Sequence, residues 1–321
     1  MRLPKQVQLA QLVAEAPDGD GWLHEQKFDG YRILAELERG RAHLWSRTFR
    51  DWTEQLPAIA VAVAQLPVRR ALLDGEVAAV LPDGRTSFQA LQNAFGTATT
   101  HLRYFVFDVL ALDDDDLAPL PLEQRKARLQ ALLERAAIPA LRYSDHVIGG
   151  GHAFFRVACE RGLEGIVSKR RDAPYTPGRG GAWLKTKCLL RQELVIGGFT
   201  EPEGSRAHLG ALLVGYHDGA RLVYAGKVGT GFTQKLLAEL AHELAPLESV
   251  HSPFDPEPPR AWTGARRHWV KPDLVGEVAF AEWTADGRLR HPSFQGLRRD
   301  KRAADVVRER PKPAGQSSRR T

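Results

Sequence analysis

The sequence changes texture after Lys187, and this change constrains the fold more than any other feature. Beyond it, short apolar segments alternate with tight turns such as His217-Asp218-Gly219 and Ala285-Asp286-Gly287, and one helical segment, 233–245, interrupts them. Five or so short strands and one helix in about 110 residues are typical of a small Greek-key barrel of the OB type. We therefore place a domain boundary near residue 190 and predict an OB-type domain over 191–302.

The segment before this boundary mixes sheet and helix. Alternating apolar residues predict short antiparallel strands between residues 22 and 46, with further strands at 71–81 and 103–110. The apolar rhythm of residues 122–136 predicts an amphipathic helix. A chain of 321 residues can bury two separate cores. The predicted fold class is α+β, with an antiparallel-sheet-rich domain over 1–190 followed by the small barrel.

The net charge of +6 is concentrated at the C-terminal end. Residues 298–321 carry nine Lys/Arg and three Asp/Glu, so the first 297 residues carry 36 charges of each sign. A polyanionic partner would therefore have to be bound by cations gathered on one face of the body. Residues 303–321 are basic and rich in Pro, Gly and Ser, and we predict that they form a disordered tail.

Several classes of protein are excluded by composition. No apolar stretch approaches the ~20 residues that a membrane span needs, and residues 1–10 lack a secretory signal pattern. The only cysteines are Cys159 and Cys188, which excludes a disulfide scaffold and a cysteine-built zinc site and favours a reducing cytoplasm.

The segment from Lys27 to Arg32 contains the pattern K-x-D-G-x-R. In a strand, residues two apart share a face, so Lys27 and Asp29 could line one pocket while Gly30 lets the backbone approach a ligand. The chain has 34 Arg and only 11 Lys, and a lysine amine is a nucleophile that a guanidinium cannot replace. Taken alone, the pattern is equally consistent with a surface strand that carries an ion pair.

Five further segments combine chemically useful side chains. Each has an ordinary alternative explanation: core phenylalanines, a solvated acidic strand or a basic surface. Two ammonium groups pointing the same way from one strand repel each other, so Lys185 and Lys187 indicate an anion between them. The segments are Asp74-Gly75-Glu76, Tyr104-Phe105-Val106-Phe107-Asp108, Glu164-Gly165-Ile166-Val167-Ser168-Lys169, Trp183-Leu184-Lys185-Thr186-Lys187 and Arg298-Arg299-Asp300-Lys301.

In this order and spacing, the segments resemble the motif series of the covalent nucleotidyltransferases, which comprise ATP-dependent DNA ligases, RNA ligases and capping guanylyltransferases. The resemblance runs from about residue 4 to residue 309. Within this group, the chain most resembles the ligase domain of bacterial ligase D, as indicated by four further segments, residues 87–92, 197–202, 226–232 and 282–292. Ligase D usually also carries polymerase and phosphoesterase domains, so the resemblance implies an excised domain or a stand-alone relative.

The resemblance implies a role for each matching residue. Lys27 would attack the α-phosphate of ATP and form lysyl-AMP, in a pocket shared with Asp29. Lys185 and Lys187 would hold the α-phosphate, and Arg298 and Lys301 would orient the departing pyrophosphate, with Arg299 able to share that role. Around the nucleotide, Glu25 would read adenine, Arg32 and Arg47 would touch ribose or phosphate, Phe107 would stack on adenine, Lys169 would help bind the nucleotide, Glu76 would serve ribose or metal, and Glu164 would coordinate metal.

The same resemblance implies the cofactors and partners. We expect ATP, a divalent cation (Mg²⁺ or Mn²⁺), and nicked or broken duplex DNA whose 5′-phosphate and 3′-hydroxyl are joined in double-strand break repair. We also expect an end-bridging repair protein as a partner, a monomeric state, and a cytoplasmic, nucleoid-associated location. Two alternatives stay open: an RNA-end ligase or capping-type nucleotidyltransferase, and a non-catalytic OB-containing nucleic-acid binder with a decayed site.

Overall fold

The computed structural model describes residues 3–94, 101–188, 190–202, 208–264 and 266–311. Contacts within the chain separate a first unit, residues 1–188, from a second unit, residues 189–309. The division falls at Cys188, close to the boundary drawn from the sequence. The last ten residues of the predicted tail, 312–321, lie outside the described residues.

The first unit contains two sheets and four α-helices among its described residues. The seven-stranded sheet has the order β4-β3-β5-β7-β8, with β6 paired to β5 and β9 to β7, and the five-stranded sheet has the order β1-β12-β11-β2-β10. The elements are β1 (Gln8–Leu12), β2 (Trp22–Gln26), β3 (Tyr31–Glu38), β4 (Arg41–Ser46), α1 (Pro57–Ala64), β5 (Arg70–Val80), β6 (Thr86–Ser87), α2 (Phe88–Ala94), β7 (Leu102–Leu112), β8 (Asp115–Asp116), α3 (Leu122–Ala136), β9 (Leu141–Tyr143), β10 (His146–Ile148), α4 (Gly151–Glu160), β11 (Gly165–Arg170) and β12 (Gly178–Lys187).

The alternation of side chains along β3, β5 and β7 divides the core of this unit in two. One face of the seven-stranded sheet packs against α1, α2 and α3, which contribute Ile59, Leu91 and Leu129 to the larger core. The opposite face packs against the five-stranded sheet through a smaller cluster that contains Leu34, Leu72, Leu110, Tyr175 and Trp183. The space between the two sheets is where the chemically useful side chains gather.

The second unit is a curved sheet with one long helix. Strand β13 pairs with β18 along its first half, with β17 along its second half and with β14 on its other edge, so the sheet bends around one core. The elements are β13 (Leu190–Thr200), β14 (Leu212–Asp218), β15 (Arg221–Val228), α5 (Gln234–Leu244), β16 (Glu248–Ser249), α6 (Arg260–Thr263), β17 (Arg267–Val270), β18 (Val275–Phe280), β19 (Glu282–Trp283), β20 (Leu289–Arg290) and β21 (Ser293–Leu297), with 3₁₀ turns at Ala245–Leu247 and Ala303–Asp305.

Cys159 and Cys188 form a disulfide, which the sequence analysis did not predict. Helix α4 packs on β11, and β11 pairs with β12, so the end of the helix and the residue after β12 meet although 29 positions separate them. The sequence analysis used these two cysteines as an indication of a reducing cytoplasm. Their pairing removes that argument.

Within the described part of the chain, we find no helix that is both long enough and apolar enough to span a bilayer.

The prediction that disorder begins at residue 303 is wrong for residues 303–309, which belong to the second unit. Val306 is 5% exposed in the core of that unit, and its carbonyl accepts a hydrogen bond from His217 N at 2.8 Å. The side chain of Gln192 donates to the carbonyl of Val307 and accepts from the backbone N–H of Glu309. Basic composition suggested a solvated segment, but one buried valine and three hydrogen bonds hold it against the barrel.

Ending the chain at Arg302 should therefore destabilise the second unit by about 2–4 kcal/mol, from the lost burial of Val306 and the lost hydrogen bonds. Ending it at Pro311 should leave stability unchanged. Hydrogen exchange of the amides of β13 and β14 measures both effects. Equal protection in the two truncated forms would contradict the assignment of 303–309 to the barrel.

Candidate active site

Three adjacent strands of the five-stranded sheet bring three of the sequence motifs onto one face. Residues paired directly across antiparallel strands project to the same side of a sheet. In the register of β2, β11 and β12, Leu23, Lys169 and Trp183 lie side by side in one row across the sheet, and Glu25, Val167 and Lys185 lie in the next. Gly165 and Lys187 form a third row, next to Lys27.

Lys27 lies in the loop that follows β2, and it is not part of the strand as the sequence analysis assumed. Its backbone N–H donates to the carbonyl of Gly165 at 2.9 Å. Its Nζ lies 2.6 Å from Oε1 of Glu164, and the two side chains are 24% and 5% exposed. The ammonium is thus partly accessible and held by a buried carboxylate, beside the row that contains Lys187.

Asp29 and Gly30 have structural roles in this loop. The Asp29 carboxylate accepts a hydrogen bond from the backbone N–H of Phe88, the first residue of α2, and the Asp29 N–H donates to Thr86 Oγ1. A Cβ at Gly30 would lie 2.2 Å from the carbonyl oxygen of Val77. The glycine therefore permits close approach to β5, where the sequence analysis expected close approach to a ligand.

Glu25 is buried and surrounded by donors. Its Oε1 accepts from Lys126 Nζ at 2.7 Å, and its Oε2 accepts from Lys169 Nζ at 2.8 Å and from Ser144 Oγ at 3.0 Å. Burial raises the pKa of the Glu25 carboxyl, but the ammonium groups of Lys126 and Lys169 outweigh burial and hold this pKa below its ordinary value. Glu25 is therefore ionised at neutral pH.

Lys169 links this carboxylate to the aromatic side chains. Its Nζ lies 4.2 Å from the ring centre of Phe107 and 4.3 Å from that of Trp183, which are cation–π distances. Burial lowers the pKa of Lys169 to about 8, although Glu25 opposes this shift. Nearby, Phe28 stacks on Phe105 with ring centres 4.0 Å apart. The face thus has charged groups bordered by aromatic rings, as a nucleobase pocket requires.

Arg32, which was predicted to touch ribose or phosphate, is bound by protein groups. It donates to both oxygens of Asp74 at 2.9 and 2.6 Å and to the carbonyl of Gln8 at 2.6 Å. The hydroxyl of Tyr175 donates to the same carboxylate at 2.8 Å. Burial disfavours the charged guanidinium, but Asp74 outweighs it and raises the pKa of Arg32. Arg32 thus connects β3 to β5 and to β1.

Two other predicted nucleotide contacts lie on the seven-stranded sheet. Glu76 on β5 is paired across the sheet with Arg32 on β3 and with Phe105 on β7. Arg47 follows β4 directly and is half-buried. The contacts place Glu76 beside the aromatic pair.

Arg298 and Lys301 lie in the second unit and share a cluster of carboxylates. Arg298 donates to both oxygens of Asp300 at 2.9 Å and to Glu277 at 2.6 Å. Lys301 Nζ lies 2.8 Å from Glu193. Arg299 points elsewhere, toward Glu239 and Glu243 on α5, and half of its side chain is exposed. Arg298 and Arg299 therefore pair with different carboxylates.

The donor set for a divalent cation is small. The described residues contain no group of three or more His, Cys, Asp or Glu side chains placed to hold a metal. Mg²⁺ is commonly bound by one or two carboxylates together with substrate phosphates and water. Glu164, an oxygen donor beside Lys27, fits a cation of that kind and does not fit an all-protein metal cage.

Four residues contact predicted site residues or one another in ways that the motifs did not predict: Lys126, Ser144, Asp74, which pairs with Arg32, and Tyr175. Lys126 and Ser144 lie far from the motifs in sequence. One signal was available, because Lys126 falls on the apolar face of the predicted helix, between Leu122 and Leu129. A lysine at such a position needs a buried partner.

Both units of the chain match known proteins. Residues 3–187 match the sequence profile described as ATP dependent DNA ligase domain, and residues 205–301 match the one described as ATP dependent DNA ligase C terminal region. The chain is 43% identical over 308 residues to the multifunctional non-homologous end joining protein LigD of Pseudomonas aeruginosa, covering 95% of this chain and 36% of that protein. It is 40% identical over 291 residues to the LigD protein of Mycobacterium tuberculosis H37Rv, covering 90% of this chain and 37% of that protein.

One solved structure gives the fold. It is described as mycobacterial DNA ligase D complexed with ATP and MES, and it matches with a TM-score of 0.67 and 37% identity over 94% of this chain and 98% of that chain. The sheets and these matches define a nucleotidyltransferase domain followed by an OB-type domain, which confirms the predicted fold class. The chain belongs to the family of ATP-dependent DNA ligases, and within it the resemblance to ligase D is confirmed. It spans little more than a third of the length of these LigD relatives.

Proposed function

We propose that the chain is an ATP-dependent DNA ligase that seals 5′-phosphate/3′-hydroxyl breaks, in the repair of double-strand breaks by end joining. The observation that carries this proposal is the partly accessible Lys27 amine, 2.6 Å from Glu164 and next to the Lys185 and Lys187 rows on one sheet face. Membership of the ligase family and the similarity to LigD proteins support the choice of DNA as acceptor.

The first step forms a bond between Lys27 and the nucleotide. The neutral Nζ amine of Lys27 attacks the α-phosphorus of ATP, the Nζ–P bond forms, the bond from that phosphorus to the bridging oxygen breaks, pyrophosphate leaves, and the nitrogen releases one proton to water. Lys185 and Lys187, two residues apart on β12, would offset the negative charge that builds on the phosphoryl oxygens.

The nucleoside would be read on the same face. Glu25 would accept a hydrogen bond from the amino group of adenine, and Phe107 would stack on the base with Lys169 behind it. Glu76, Arg32 and Arg47 would contact the sugar or phosphates, which for Arg32 requires a change in its pairing with Asp74. Arg298 and Lys301 would act on the departing pyrophosphate, and each would have to exchange carboxylate partners to do so.

A divalent cation at Glu164, either Mg²⁺ or Mn²⁺, would supply positive charge against the phosphates and compete with Lys27 for the carboxylate. The Nζ atom of Lys27 lies 2.6 Å from Oε1 of Glu164, so this carboxylate holds the amine in place.

The remaining steps need DNA. AMP would pass from Lys27 to the 5′-phosphate of a nick or break, and the 3′-hydroxyl would then displace AMP. The proposed partners are duplex DNA and an end-bridging repair protein. The proposed state is a monomer in the cytoplasm, at the nucleoid.

Incubation with α-labelled ATP or GTP, without acceptor, tests the first step. We expect covalent label from ATP only, followed by sealing of a nicked duplex with a DNA 3′ end when acceptor is added. Label from GTP would favour the capping-type alternative, and sealing confined to RNA ends would favour the RNA ligase. No label from either nucleotide would favour a nucleic-acid binder with a decayed site.

A further inference from the structure

Lys126 is a buried lysine that none of the motifs contains. It lies on α3, on the side that faces the sheets, and it is 1% exposed. Its Nζ donates to Glu25 Oε1 at 2.7 Å and to the carbonyl of Ser144 at 2.9 Å, and it lies 4.4 Å from the ring centre of Tyr143. An ammonium has three N–H donors, and these three partners fix its position.

The Glu25 carboxylate is correspondingly constrained. An ionised carboxylate offers about four acceptor positions. Among the described residues, Lys169 and Ser144 donate to Oε2, while Lys126 alone donates to Oε1. One acceptor position on Oε1 is therefore uncommitted, and its direction depends on where Lys126 holds that oxygen.

Resting on the proposed function, in which Glu25 reads the base, we propose that Lys126 is a positioning residue for nucleotide specificity. It holds Glu25 ionised and rotated so that the uncommitted position on Oε1 accepts the 6-amino group of adenine and opposes the 6-oxo group of guanine. A carboxylate is an acceptor only, whereas a protonated carboxyl could donate to the 6-oxo group of guanine.

Lys169 cannot supply this constraint by itself. It binds the other oxygen, Oε2, and its Nζ also lies over the rings of Phe107 and Trp183. Without Lys126, the carboxylate could turn about its bond to the side chain while keeping one oxygen on Lys169. Oε1 would then lose its fixed direction.

The test measures lysyl-nucleotide formation by the full chain with ATP and with GTP. We expect Lys126→Met to raise KM for ATP and to lower the ATP-over-GTP preference in kcat/KM by about tenfold or more, the usual effect of losing one charge-assisted hydrogen bond. Arg128→Met is the matched control, because Arg128 is exposed on the same helix and its loss should leave the preference unchanged. Lys126→Arg, which restores the charge, should recover part of the preference.

A double-variant cycle separates positioning from general stabilisation. If Lys126 acts only through Glu25, Glu25→Gln/Lys126→Met should have the same nucleotide preference as Glu25→Gln alone. This neutral pair also serves if Lys126→Met fails to fold, because it leaves no unpaired buried carboxylate. A further fall in preference in the double variant would overturn the proposal.

The inference and the proposed function can fail separately. Wild-type labelling by ATP together with an unchanged preference in folded Lys126→Met would overturn the role of Lys126 alone. Absence of labelling in the wild-type protein with either nucleotide would overturn the proposed ligase, and the specificity role with it.

Discussion

Lys27→Arg is expected to abolish covalent labelling by α-labelled ATP. Arginine keeps the positive charge that pairs with Glu164, so the loop after β2 should keep its conformation. A guanidinium stays protonated at any pH the protein survives and has no lone pair to attack phosphorus. The measurement compares the label on the denatured protein before and after acid treatment, because acid hydrolyses a phosphoramidate.

Two controls define this result. Lys227→Arg changes an exposed lysine on β15 in the same conservative way and should label at the wild-type rate. Sealing of a nick that already carries AMP on its 5′-phosphate should persist at least in part in Lys27→Arg, because that step does not use the lysine amine. Label retained by Lys27→Arg would show that another lysine is the nucleophile.

The part of the site that could be predicted from sequence is the part that strand periodicity determines. Lys185 and Lys187 are two residues apart on β12. An alternating strand places both on one face without any knowledge of the sheet. The order of strands could not be deduced, because β2, β11 and β12 come from distant segments and adjacency depends on the whole chain.

The partners of the charged residues could not be predicted for the same reason. Arg32 pairs with Asp74, 42 positions away, and Glu25 pairs with Lys126, 101 positions away. Asp29 was predicted to share a pocket with Lys27 because strand alternation was extended beyond the end of β2, and in the structure its carboxylate accepts a hydrogen bond from the N–H of Phe88, the first residue of α2. Sequence motifs identify residues that take part in a site, and only the fold decides whether each one faces the ligand or supports a neighbour that does.

Arg298→Met is expected to destabilise the second unit by about 3–5 kcal/mol, because it removes a cation from a cluster that contains the buried carboxylates of Asp300 and Glu277. The side chain of Arg298 is 11% exposed. Burial disfavours its charge, but Asp300 and Glu277 outweigh burial and raise the pKa of Arg298. Arg299→Met is the matched control, since Arg299 is half exposed and its pairs with α5 should contribute about 1 kcal/mol at most. Hydrogen exchange in β18 and β21 measures both.

Acid provides an independent test of this cluster. Burial raises the pKa of Asp300, but Arg298 outweighs it and leaves that pKa below its ordinary value. A carboxyl with a depressed pKa in the folded state stabilises the fold at neutral pH, and this contribution is lost as the pH falls through that folded-state pKa. The stability difference between wild type and Arg298→Met should therefore shrink in acid, whereas the Arg299→Met difference should stay small throughout. A constant difference would mean that Asp300 does not depend on Arg298.

If the difference shrinks as expected, loss of labelling in Arg298→Met cannot by itself assign a pyrophosphate role. Lys301→Met then becomes the sharper test of that role, because its partner Glu193 is 24% exposed and can be hydrated when the ammonium is removed.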